Sequence, residues 1–171
     1  MPQNHYLVPE HFQGAEKNIE HTIITGTTED AEDGFVDAKE RLLDVNNWSM
    51  YTGPDIHFEL ADAHDKLLNR KAHKGDFIKM EAPDVAPAVV GVEAIEYDDY
   101  PDEGRETFAI RLKPGINNPE TNVDQHNATA TIVIDRRHKK LTASYHGRNE
   151  AGAWFSLSDE LLSDLVKGFV A

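Results

Sequence analysis

The stretch Ile19-Glu20-His21-Thr22-Ile23-Ile24-Thr25-Gly26, followed at once by Thr27-Thr28-Glu29-Asp30, joins a β-branched run to a helix start, and the fold is read from that junction. β-branched side chains fit extended backbone, so Ile19 to Thr25 is expected to form a first strand that ends at Gly26. Thr27 with Asp30 three residues on has the form of a capping box, with Asp in place of Glu. Glu29, Asp30, Glu32 and Asp33 complement the positive end of a helix dipole. Ala31, Phe35, Ala38, Leu42 and Val45 then recur at spacings of four, three, four and three, which places them on one stripe. A helix from Glu29 to Val45 follows. Asn46 and Asn47 tolerate left-handed backbone and are expected to end it, leaving Trp48 and Tyr51 in a short segment before the turn at Gly53-Pro54.

Downstream of Pro54 the hydrophobic period changes to two. Ile56, Phe58 and Leu60 alternate with His57 and Glu59, Phe108, Ile110 and Leu112 with Ala109 and Arg111, and Leu141, Ala143 and Tyr145 with Thr142, Ser144 and His146. Asp76 to Met80, Val89 to Tyr97 and Ala128 to Asp135 are further strands with weaker alternation. Punctuation falls at Lys74-Gly75, Pro83 to Pro87, Pro101 to Gly104, Pro114-Gly115 and Arg136 to Lys139. Such short links favour antiparallel neighbours, because a parallel crossover needs a dozen or more residues. Ala151-Gly152-Ala153 breaks the last strand, Ser156 with Asp159 offers a second cap, and Leu157, Leu161, Leu162, Leu165, Val166 and Phe169 trace one face of a closing helix. The expected fold is α+β: an antiparallel sheet of about six to seven strands packed against a long helix near the N-terminus and a C-terminal helix. Residues 1–18, polar and without sustained period, read as an N-terminal arm, and 19–171 as a single domain.

This order of elements resembles the helix-grip fold of the START-like superfamily, in which a curved antiparallel sheet wraps a C-terminal helix. The resemblance rests on the strand Ile19 to Thr25, the helix Glu29 to Val45, the break Asn46-Asn47-Trp48 and the helix from Leu157. It implies a pocket for a small apolar or amphipathic ligand. The stretch Ala128 to Ile134, continued by Tyr145 to Glu150, is also similar to uncharacterised bacterial proteins, and this second likeness implies no activity.

Composition narrows the partners. With 31 Asp and Glu against 17 Lys and Arg, the net charge of −14 repels nucleic acid backbones and anionic membranes. No cysteine is present, which excludes disulfides, thiolate metal sites and thiol nucleophiles. Met1-Pro2-Gln3-Asn4-His5-Tyr6 lacks a basic region followed by an apolar run, so neither a signal peptide nor a membrane span is expected, and the location read from these features is cytoplasmic. No cofactor is expected.

Candidate chemistry is sparse. Asp55 and His57, or Asp62, His64 and Asp65, place carboxylates beside imidazoles, yet two ligands do not make a metal site, and exposed polar positions explain them equally. Glu96 to Gly104 concentrates carboxylates without the register of a calcium loop. Arg136 to Lys140 reads as a basic hairpin turn that balances charge. No nucleophile elbow or phosphate loop occurs, so a reaction is not assigned. Trp48, Tyr51 and Tyr145 can border one pocket with their polar tips turned inward, or can simply close the core. Arg148, placed just beyond the last strand, can pair with an anionic ligand group or with a local carboxylate such as Glu150. Two functional expectations follow: a non-catalytic binder of a small amphipathic or hydrophobic ligand, with these four residues at its site, or an interaction protein that uses an acidic surface and its N-terminal arm.

Overall fold

A computed structural model describes residues 5–10, 15–83, 87–114, 128–150 and 157–171. Strand β1 (Ala15–Ile24) leads into helix α1 (Thr28–Leu43), a 3-10 turn (Val45–Asn47) and the short helix α2 (Ser49–Thr52). Strands β2 (His57–Ala61), β3 (Phe77–Glu81), β4 (Ala88–Tyr100), β5 (Arg105–Pro114), β6 (Thr129–Arg137) and β7 (Lys140–Glu150) follow, and helix α3 (Asp159–Val170) closes the chain. The sheet has seven strands in the order β1-β7-β6-β5-β4-β3-β2, and every neighbouring pair is antiparallel. β2 to β7 thus form a meander, and β1 returns to pair with β7.

The α1 stripe behaves as its spacing requires. Ala31, Phe35, Ala38 and Leu42 are buried, and Val45 continues the stripe from the 3-10 turn. Thr27 is the N-cap, its Oγ1 accepting from the Asp30 N–H at 3.0 Å. Gly34 lets this face approach the sheet, because a Cβ there would stand 3.2 Å from Leu141. Arg41 in the last turn donates to the backbone oxygens of Phe169 and Ala171 at 3.1 and 2.7 Å, tying the end of α3 to α1. The core between helices and sheet holds Phe35, Leu42, Trp48, Ile110, Ile132, Tyr145 and Phe169, each at most 2% exposed.

Three local expectations are corrected. α1 does not end on left-handed asparagines, since neither Asn46 nor Asn47 has positive φ. The backbone leaves the helix at Asp44 (φ −87°, ψ 64°), whose N–H still bonds the Arg41 and Glu40 oxygens. The Trp48 indole N–H donates to the oxygens of Leu42 and Arg41 at 3.1 and 3.3 Å, which gives the orphan Leu42 carbonyl a partner. The closing helix is capped by Ser158, whose Oγ accepts from Leu161 N–H at 3.2 Å. Ser156 and the Ala151-Gly152-Ala153 break lie outside the described residues. Finally, β1 begins at Ala15, four positions before Ile19.

Residues 5–10 lie on the outer face of the sheet, opposite the helices. Leu7 is 6% exposed and packs with Ala109 and Val133. Its carbonyl accepts from Thr131 Oγ1 at 3.2 Å and Arg111 Nη1 at 3.4 Å, while Tyr6 Oη donates to Asp98 at 2.7 Å. The lack of periodicity in this stretch hid the contact, because a single leucine supplies all of its apolar anchoring. Leu7→Ala is expected to lower stability by about 2 kcal/mol in urea unfolding. A change below about 0.5 kcal/mol would show that the segment contributes nothing to the folded state.

Candidate functional site

At the edge of the sheet the 3-10 turn, α2 and β2 meet the loop that follows β2, and together they enclose a groove of about 430 Å³. Its apolar lining is Phe58, Leu67 and Leu68, and its polar lining includes Asn46, Ser49, His57, Glu59 and Asn69. Asn46 builds it. The side-chain oxygen accepts from Leu60 N–H and the amide nitrogen donates to the Leu68 oxygen, both at 2.8 Å, which fixes the loop against the strand edge. Asp62 shapes the turn before it, with Oδ1 accepting from the N–H groups of His64 and Lys66 at 2.8 and 3.0 Å. These two bonds hold the Asp62 carboxyl below the usual carboxylate range. Asp62 is therefore a turn-former in a loop that brings Leu67 to the rim at 56% exposure. Among the described residues no group of three His, Asp or Glu side chains is arranged to hold a metal ion.

The four residues singled out from the sequence fall in three places. Trp48 is fully buried, edge-on to Phe58 at 5.3 Å and to Phe169 at 5.7 Å between ring centroids. It stands one layer behind the groove, touching it through Phe58. Tyr51 is partly buried and meets Phe169 edge-on at 5.7 Å, and burial pushes its hydroxyl pKa above the usual value. Gly168 makes room for it, since a Cβ there would lie 2.3 Å from the Tyr51 ring. Tyr145 is 1% exposed on the inner face of β7. Arg148 lies within β7 rather than beyond it, and alternation turns it to the outer face. There it is 2% exposed and donates to the oxygens of Lys17, Gly147 and the Asn18 side chain at 3.0, 2.9 and 2.6 Å.

Arg148 also decides the state of its neighbour His146. Because a guanidinium only donates, the Asn18 atom facing it is the oxygen, so His146 Nδ1 at 2.8 Å from the same atom must carry a proton. Burial first, and then the charge of Arg148, push His146 down to a pKa of about 4. The neutral ring therefore accepts at Nε2 from Ser144 Oγ at 2.9 Å. Ser144, His146 and Asn18 thus repeat the nucleophile, base and orienting group of acyl-transfer enzymes in connectivity. The electrostatics oppose that chemistry. A general base works best with a pKa near the operating pH, and this imidazolium would form beside Arg148 with a neutral Asn18 as its only orienting partner. The relay fixes Ser144 as an acceptor toward the outer face and does not activate it.

No family model matches the chain, and no curated protein matches it. Among solved structures it is similar to a hypothetical protein from Helicobacter pylori, with 14% identity, a TM-score of 0.51, and coverage of 90% of this chain and 86% of that one. The Aha1 dimer structure from Colwellia psychrerythraea also matches, at 12% identity, 90% and 93% coverage and a TM-score of 0.48. So does truncated norcoclaurine synthase from Thalictrum flavum, at 11% identity, 95% and 96% coverage and a TM-score of 0.43. At such identities the likeness is one of fold. An antiparallel sheet with a long helix after its first strand and a closing helix on the same face is the helix-grip fold, and this chain has it. Among the described residues no helix is long and apolar enough to cross a membrane.

Proposed function

We propose that the protein binds a small amphipathic molecule without transforming it, in the groove between the 3-10 turn, β2 and the 67–69 loop. The groove itself carries this reading: its volume of about 430 Å³ lies in the range of small-molecule sites, and it sets an apolar patch beside polar groups. An acyl or aromatic body would cover Phe58, Leu67 and Leu68, and a polar head would meet His57, Glu59 or Asn69. The helix-grip resemblance supports the same class of ligand. The net charge of −14 disfavours nucleic acid as the partner. Trp48 supports the groove from behind through Phe58, and Tyr51, Tyr145 and Arg148 are assigned to the frame. The interaction-protein alternative gains no support from residues 5–10, which are engaged by their own sheet.

The test is titration with an uncharged solvent-sensitive dye such as Nile red, followed through the dye. Saturable binding is expected, and Leu67→Glu should weaken it by about tenfold or more, which corresponds to 1.4 kcal/mol. Because Leu67 is exposed, that substitution should leave the melting temperature unchanged. Binding that is equally strong in Leu67→Glu would move the ligand elsewhere and sink the assignment.

A further inference from the structure

The outer face holds a second concavity of about 220 Å³, bordered by His5 and floored by β1, β7 and β6. Strand register sets out its chemistry in rows. Lys140 stands opposite Arg137, and Arg137 opposite Arg105, so three cations cross the sheet in one line at cross-strand spacing, about 5 Å per step. The next row, about 7 Å along the strands, brings Thr22 opposite Thr142 and Thr142 opposite Asp135. The row after that brings Glu20 opposite Ser144.

The cations exceed their partners. Asp135 Oδ2 serves both Arg105 Nη2, at 3.3 Å, and Arg137 Nε, at 3.6 Å, while Lys140 makes no ion pair among the described residues. A cationic row on a chain of net charge −14 is a local reversal of sign, and charges beyond about 8–10 Å are largely screened at physiological salt. The wall beside it is short of partners too. The His5 side chain is 5% exposed, and its Nδ1 accepts from Leu7 N–H at 3.1 Å, which leaves the proton of the neutral ring on Nε2. That Nε2 makes no hydrogen bond, and its nearest carboxylate oxygen, on Asp98, is 3.9 Å away. Arg105 Nε and Asp135 Oδ1 likewise lack hydrogen bonds.

The second and third rows ask for something other than charge. Ser144 directs its proton to His146, so it meets a ligand as an acceptor. Thr22 and Thr142 share one hydrogen bond at 2.9 Å, which leaves one hydroxyl proton and several lone pairs open. A bare oxyanion satisfies the cations but brings no donor to these oxygens. The geometry points to a binding site for a small hydroxylated anion, with its acid group on Lys140 and Arg137 and its hydroxyls over Thr142 and Ser144. The site lies on the opposite face of the sheet from the groove and is independent of it.

The full chain is titrated with glycerol 3-phosphate, glycerate, sulfate and glycerol, following the imidazole NMR signals of His5 and His146. Glycerol 3-phosphate or glycerate should shift both signals saturably, whichever acid group fits, while sulfate, which has no proton to donate, binds more weakly and glycerol not at all. The double variant Lys140→Gln, Arg137→Gln should weaken binding by about tenfold or more without lowering the melting temperature, since both side chains are exposed. Ser144→Ala should weaken the hydroxylated anions and leave sulfate unchanged. Equal affinity for sulfate and glycerol 3-phosphate would reduce the site to general attraction of anions and overturn the assignment. So would binding indifferent to the double variant, or no saturable shift up to about 10 mM, where a site of Kd near 1 mM is mostly filled.

Discussion

Trp48→Ala is expected to destabilise the protein by about 3 to 5 kcal/mol in urea unfolding, the largest effect of any single substitution considered for this chain. The side chain is fully buried, and its removal leaves a void between Phe58, Phe169 and the end of α1. The helix-terminal carbonyl of Leu42 loses its indole donor as well, while that of Arg41 keeps the Asp44 N–H. Trp48→Phe keeps one aromatic ring while removing the N–H and part of the indole volume; it should cost less, about 1 to 2 kcal/mol. A loss below about 1 kcal/mol for the alanine variant would mean that the indole is not the keystone of the α1–β2 junction, and the wall of the groove would need another explanation.

A second large effect should appear on acidification. The folded pKa of His146 is about 4, against an ordinary value of 6.5, so between these values the unfolded chain binds a proton that the folded protein refuses. Stability therefore rises with pH through this window. The contribution of His146 is fully present above pH 6.5 and is lost as pH falls toward 4, by about 3 kcal/mol at 1.36 kcal/mol per unit. The measurement is the difference in unfolding free energy between wild type and His146→Gln from pH 8 to pH 4, in which the shared carboxylate titrations cancel. The wild type should lose more stability than the variant, and the loss should fall mainly below pH 6.5. Parallel curves would contradict the burial and the Arg148 contact that hold the ring neutral.

Much of the frame was legible because burial on one face leaves a period in the sequence. The spacing of Ala31, Phe35, Ala38 and Leu42 yields α1 to within two residues at either end, and Thr27 marks its cap. The alternation of Leu141, Ala143 and Tyr145 gives the inward face of β7. The same logic explains the weak alternation of β6, expected at Ala128 to Asp135 and found at Thr129–Arg137, where residues 129–134 are buried on both faces and Leu7 covers Val133 on the outer one. Residues that act through contacts distant in sequence left no such trace. Asn46 looked like a helix stop and instead ties Leu60 to Leu68. Leu67 and Leu68 form a leucine pair in a polar loop without periodicity, and only the Asp62 turn shows why Leu67 reaches a groove. Arg148 and His146 sit in adjacent register with Asn18, more than a hundred residues away along the chain, and their coupling becomes visible only when β1 pairs with β7. The aromatic residues drew attention by size, and size places Trp48 and Tyr145 in the core.

The most direct measurement of the central claim is a titration of the isotope-labelled protein with an uncharged medium-chain amphiphile such as 1-decanol, read by amide NMR shifts. The groove assignment predicts saturable shifts concentrated at Asn46, Ser49, Phe58, Leu67 and Leu68, with the amides around His5, Ser144 and His146 on the outer face unmoved. Shifts concentrated anywhere else, or none that saturate, would contradict it.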